Sequence, residues 1–173
     1  MIELTLADDF KHIFNLYRAV RHRSNKRLEN AKFQVEKALA YGCRAPHYPL
    51  ALVLKAELMF REGGQLNEGR ACLHECMSAL EKDHHADDTY IAAYCQAWLA
   101  MTDEKIGYAE IEDRALNANA YRKHTSRFTK MILRQFTIDE LKKIFGMRAA
   151  KSSVSFIFDG SNKAVNVEVG FSF

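Results

Sequence analysis

The chain has 173 residues, 48% of them apolar and 27% charged, with a net charge of +3. That is enough length for its own core and too apolar a mix for a disordered chain. The N-terminus carries Glu3, Asp8 and Asp9 where a secretory leader needs bases, and the longest uncharged run, Thr89 to Thr102, has 14 residues, too few to cross a bilayer. These features predict a cytoplasmic protein with no membrane partner.

The mild total hides a segregation. Residues 1–48 hold nine Lys/Arg against five Asp/Glu, and residues 49–120 hold six against thirteen. Residues 121–151 hold nine against two, and the tail one against two. An acidic middle, net −7, therefore precedes a basic block, net +7.

Apolar residues recur at helical spacing to about residue 145. The period assigns Phe10, Ile13, Phe14, Tyr17 and Val20 to the buried stripe of a first helix, and Leu28, Ala31, Val35, Ala38 and Leu39 to a second. Pro49, tolerated in a first turn, opens a third helix with Leu52, Ala56, Met59 and Phe60 inward, and Gly63-Gly64 ends it. A fourth runs from about Asn67 to Lys82 with Ala71, Leu73, Cys76 and Leu80 inward. Asp87-Asp88 start a fifth, where acids favour a helix N-terminus, carrying Tyr90, Tyr94, Ala97, Trp98 and Met101. A sixth follows from about Gly107 to Tyr121. Short turns between such helices predict antiparallel neighbours.

The four cysteines (Cys43, Cys72, Cys76, Cys95) suit buried thiols in a reducing compartment. Cys72 and Cys76 share a helical face from which His74 points away, a poor chelate, so no metal or other cofactor is expected. His12, His22, His47 and His124 are scattered along the chain without evident partners.

The basic block predicts a helix from about Ser126, with Phe128, Ile132 and Phe136 on one face and Arg127, Lys130 and Arg134 on another. Thr137-Ile-Asp-Glu140 then matches a capping box opening a short helix. That helix buries Leu141, Ile144 and Phe145, exposes Lys142 and Lys143, and ends near Gly146. The tail alternates: Val154, Phe156 and Phe158, then Val165, Val167, Val169, Phe171 and Phe173, around an Asp159–Asn162 turn. This predicts a β-hairpin with one dry face. A lone hairpin is marginal in water, so its own helices, a second copy or another partner must cover it.

The segment from Leu52 to Cys76 resembles one tetratricopeptide repeat. Ala56 matches the small first-helix position, Gly63 the turn, Gly69 the small start of the second helix, and Cys76 the small residue seven further on. Ala31 and Ala38 repeat that last spacing 38 residues earlier, against the 34 of the family. Gly64 reads as an inserted residue, and no proline closes the repeat.

The expected fold is therefore mainly α: a stack of antiparallel helical hairpins over residues 1–121, then residues 122–173 as a basic helical segment with a C-terminal β-hairpin. The resemblance implies a concave face that binds a peptide or partner helix, lined here by Leu54, Lys55, Leu58 and Arg61. No phosphate loop, nucleophile elbow or paired metal motif appears.

The expected function is a non-enzymatic interaction module, an adaptor or chaperone-like protein that self-associates through its hairpin. The alternative is nucleic-acid binding through Arg122, Lys123, Arg127, Lys130, Arg134, Lys142, Lys143, Arg148 and Lys151, beside a hairpin faintly similar to that of a winged helix.

Overall fold

The computed structural model describes residues 2–43 and 46–146, with side chains from Phe10 onward in the first helix. Its elements are α1 (Ile2–Ser24), α2 (Leu28–Ala40), α3 (His47–Glu62), α4 (Leu66–Lys82), α5 (Asp88–Met101), α6 (Tyr108–Arg122), α7 (Arg127–Ile132) and α8 (138–146). Helices α1–α2, α3–α4 and α5–α6 pack as antiparallel hairpins, and each hairpin packs on the next. The architecture is a stack of the kind helical repeats build. The predicted tail hairpin, with Arg148 and Lys151, lies outside the described residues.

Helix α3 is the axis of the stack. From Pro49 to Phe60 only Lys55 escapes burial. An apolar run with almost no polar side is buried all round, and α3 accordingly touches α1, α2, α4, α5 and α7. It stops where Gly63 and Gly64 take φ of +81° and +80°, a region costly for residues with a Cβ. Gly69 of α4 then passes so close that an added Cβ would lie 2.5 Å from the Phe60 ring. The small residue of the repeat-like pattern is there because an aromatic ring occupies the space beside it. Phe60 in turn stacks on Trp98 of α5, centroids 5.3 Å apart.

Helices α2 and α5 bury the faces their periodicity predicts. Three expectations fail. In α1 the buried face is His12, Asn15, Leu16, Ala19 and Arg23, while Phe10, Phe14 and Tyr17 of the predicted stripe point outward at 65%, 56% and 49% exposure. In α4, Ala71 is exposed and Gly69 takes the inward position. The helix expected through Phe136 ends at Ile132, because Leu133 and Phe136 give their main-chain groups to side chains of α5 and α6 instead. Glu140 N donates to Thr137 Oγ1 at 3.2 Å, the forward half of the predicted capping box. No helix among the described residues is long and apolar enough to cross a membrane.

Candidate functional site: a concave groove holding an extended segment

Residues 126–144 run across the helices α1, α3, α5 and α6 of the stack. The segment is anchored at its start by Asp87. That carboxylate accepts from Ser126 N (3.2 Å), Ser126 Oγ (2.6 Å) and Thr129 Oγ1 (2.7 Å). Burial alone would raise the Asp87 carboxyl, but the hydroxyl and amide donors of Ser126 and Thr129 hold it below its ordinary value. Asp87 thus precedes α5, as the sequence suggested, while its side chain serves α7. Beside this anchor lies a cleft of about 330 Å³ whose lining includes His47, Leu50, His85, Asp88 and Phe128.

The middle of the segment is held by its main chain. Arg23, in the last turn of α1, donates to Ile132 O (2.7 Å) and Met131 O (3.2 Å). Tyr90 Oη donates to Leu133 O at 3.3 Å, and Arg122 Nη2 donates to Lys130 O at 3.1 Å. Asn119 grips Phe136 from both sides, donating to its carbonyl at 2.8 Å and accepting from its amide at 2.9 Å. Amide-to-backbone pairing of this kind substitutes for a neighbouring strand. The Phe136 ring stacks on Tyr94 (4.8 Å) and meets Trp98 edge-on (6.2 Å). Ile132 and Leu133 are 0% exposed.

Beneath the segment sits a buried charge cluster. Glu57, 0% exposed, accepts from Arg23 Nη1 (3.1 Å), Arg61 Nε (2.9 Å) and Tyr94 Oη (3.3 Å). Arg61 also reaches Glu140 at 3.4 Å, tying α8 to α3. Burial would raise the Glu57 carboxyl, but the guanidiniums of Arg23 and Arg61 outweigh it and hold the group below its usual range, hence ionised. Burial and the adjacent Glu57 charge push Tyr94 well above the ordinary phenol range, so Tyr94 stays a donor. Of the Arg23 nitrogens only Nε lacks a partner, and a buried pair so nearly satisfied is tolerable, whereas half of one is not. The charges face each other and the segment's carbonyls, an arrangement suited to holding a chain.

The sequence-predicted groove residues separate. By spacing, Leu54, Leu58 and Arg61 do share the face of Glu57. Leu54 and Leu58, however, are 0% exposed, in one cluster with Ile132, Leu133, Phe136, Leu141 and Ile144. They form core under the segment and line no open face. Lys55 points elsewhere, pairing with Glu36 of α2 at 2.9 Å. The basic block is also divided. Arg122 and Lys130 donate to main-chain carbonyls and Arg134 to Ser24 Oγ, while Lys123, Arg127, Lys142 and Lys143 are exposed.

Sequence reading missed Arg23, Glu57, Tyr90 as a donor, and Asn119. A signal existed for one of them: Glu57 is an acid inside an otherwise apolar stretch, four residues before Arg61. The others needed contacts spanning up to 109 positions.

His12 and His47, read as scattered, meet at 3.0 Å, and His47 packs edge-on against Phe128, 5.0 Å between centroids. Cys76 and Cys95 are fully buried with their sulfurs 3.7 Å apart. Among the described residues no three His, Cys, Asp or Glu side chains gather as metal ligands would. No protein-family model, curated protein or solved structure matches the chain.

Proposed function

We propose that this chain is a non-enzymatic protein-interaction module, a tetratricopeptide-like adaptor whose concave groove receives an extended segment of polypeptide. One observation carries the reading: the end of the short helix α7 and the non-helical residues 133–136 that follow it are already held by their main chain. Arg23, Tyr90, Asn119 and Arg122 all address backbone atoms of residues 130–136, and a Tyr94–Trp98 pocket takes one aromatic side chain. Backbone contacts tolerate many sequences, so selectivity falls to the pocket and to charge. The ligand class is a peptide with an apolar pair followed by an aromatic residue, in the manner of Ile132-Leu133-x-x-Phe136. Basic flanks suit the acidic middle.

The chain's own segment competes at the high effective concentration of an intramolecular ligand. A partner in trans therefore binds weakly until the segment loosens. The alternating tail, outside the described residues, completes the reading as the self-association element. Light scattering of the full chain against one ending at Ser152 tests that part, and equal monomer masses would remove it.

The groove is tested with a labelled peptide copying residues 126–140. The wild-type chain should bind it weakly, and Phe136→Ala, which empties the pocket in cis, should bind it at least about tenfold tighter, as expected when an internal competitor is weakened. If neither protein binds the peptide, the reading fails.

A further inference from the structure

We infer that the outer face of the α1–α2 hairpin is a binding surface for single-stranded nucleic acid, distinct from the groove. Three exposed rings there each have a cation over them. Arg18 lies 4.5 Å from the Phe14 ring centroid, Lys37 lies 4.9 Å from Phe33, and Lys11 lies 5.4 Å from Tyr41. Phe14, Phe33 and Tyr41 are 56%, 58% and 45% exposed. With a cation over one face, such a ring can take a base on the other, with Arg18 or Lys37 at hand for the phosphate.

The charge is one-sided. From Phe10 to Tyr41 the chain carries eight Lys/Arg against two Glu. Arg23 is buried against Glu57, Lys32 pairs with Glu62 and Glu36 with Lys55, which leaves six basic side chains against Glu29, beyond the acids Glu3, Asp8 and Asp9 at the start of α1. Folding adds to this. Tyr17 of α1 meets Phe128 at 5.7 Å, which brings the exposed Arg127 to the same region, and Arg134 donates to Ser24 at the end of α1. Two basic stretches far apart in the sequence thus converge around one helix. Such a surface selects a polyanion.

Ring spacing selects a single strand. Phe10, Phe14 and Tyr17 follow one helical face at rises of about 6 and 4.5 Å, wider than the roughly 3.4 Å repeat along one strand of a duplex. Bases must be unstacked to meet them. A scattered exposed ring is ordinary on a protein surface, but five (Phe10, Phe14, Tyr17, Phe33, Tyr41) on one hairpin in a basic field are not.

Fluorescence anisotropy of the full chain with a labelled twenty-nucleotide oligothymidylate tests this. Micromolar binding is expected, falling about fiftyfold between 50 and 200 mM salt if about four phosphates are engaged. Phe10→Ala with Phe14→Ala should weaken it at least about tenfold, from the stacking lost per base, with the thermal midpoint shifted by no more than a few degrees. Arg18→Glu with Arg21→Glu should weaken it and lower the salt slope by about 1.4. Lys142→Glu with Lys143→Glu should bind as wild type, and Phe136→Ala, which loosens the segment carrying Arg127 and Arg134, should weaken the oligonucleotide slightly while tightening the groove peptide, so this inference and the groove reading fail separately. No binding at low salt, equal affinity for duplex, or unchanged affinity in the ring variant would overturn it. Displacement by polyglutamate at matched charge would overturn it too, assigning the surface to an acidic protein.

Discussion

The groove and the outer face of the first hairpin invert each other. In the groove, charged and polar side chains are inside: Arg23 and Glu57 are 4% and 0% exposed. On the outer face of α1, aromatic rings are outside. The same helix contributes to both, and its hydrophobic period points the wrong way. Helix α5, by contrast, buries Tyr90, Ile91, Tyr94, Trp98 and Met101 as its composition demands. What separates α1 from α5 is what stands opposite. Arg23 is buried because Glu57 and two carbonyls await it, and His12 because His47 does. Burial follows available partners, and hydrophobicity predicts it only where the partners are also apolar.

The largest effect should come from breaking the charge cluster. Glu57→Leu leaves Arg23 buried without its carboxylate and should cost about 3–5 kcal/mol, read from the urea midpoint. Adding Arg23→Met should recover much of that loss, since an apolar pair is nearly neutral where half an ion pair is not. If the double variant is as unstable as the single, the cluster does not act as a pair. Phe136→Ala should cost about 3 kcal/mol by emptying the space between Tyr94 and Trp98. Leu16→Ala on the inner face of α1 should cost a similar amount, about 2–5 kcal/mol.

Gly69→Ala sharpens the repeat comparison. Alanine favours a helix, but its Cβ would meet the Phe60 ring at 2.5 Å, so a net loss of about 1–2 kcal/mol is expected. A stabilised variant would mean that the ring yields freely.

Stability should also fall on both sides of neutral pH. Burial, then His12 and His85 nearby, hold His47 below 6.5, so as pH drops through 6.5 the unfolded chain binds a proton the folded chain refuses. Burial pushes Tyr90 up to about 12, so above pH 10 the unfolded chain loses its proton first. Chemical denaturation across pH, with His47→Gln flattening the acidic limb, measures the first effect. The smallest change is expected at the outer face, where Phe14→Ser should move stability by no more than about 0.5–1 kcal/mol. A large loss there would mean that the ring is core after all.

Much of the helical part was legible before folding. Gly63-Gly64, Asp87 and Thr137 mark helix ends that the structure keeps; the positive φ at the glycines and the acceptor at Thr137 are local requirements, while the Asp87 side chain caps nothing in α5 and turns to α7. The small residue at Gly69 was legible as a pattern, and its cause, Phe60, only as a contact. The groove was half legible. Its face on α3 came from the resemblance to a repeat, but its contents did not. Whether Leu54 and Leu58 are lining or core depends on residues some 80 positions away folding over them.

Sequence alone determined the helices, their order and their hairpin pairing, since propensity, period and turn chemistry act within a few residues. The tertiary structure decided which side of α1 faces inward, that Leu133 to Phe136 leave the helix and lie against α5 and α6, and that two basic stretches meet on one surface. Those outcomes turn on whether a buried donor finds an acceptor, and that depends on distances that only the assembled stack brings within about 3 Å.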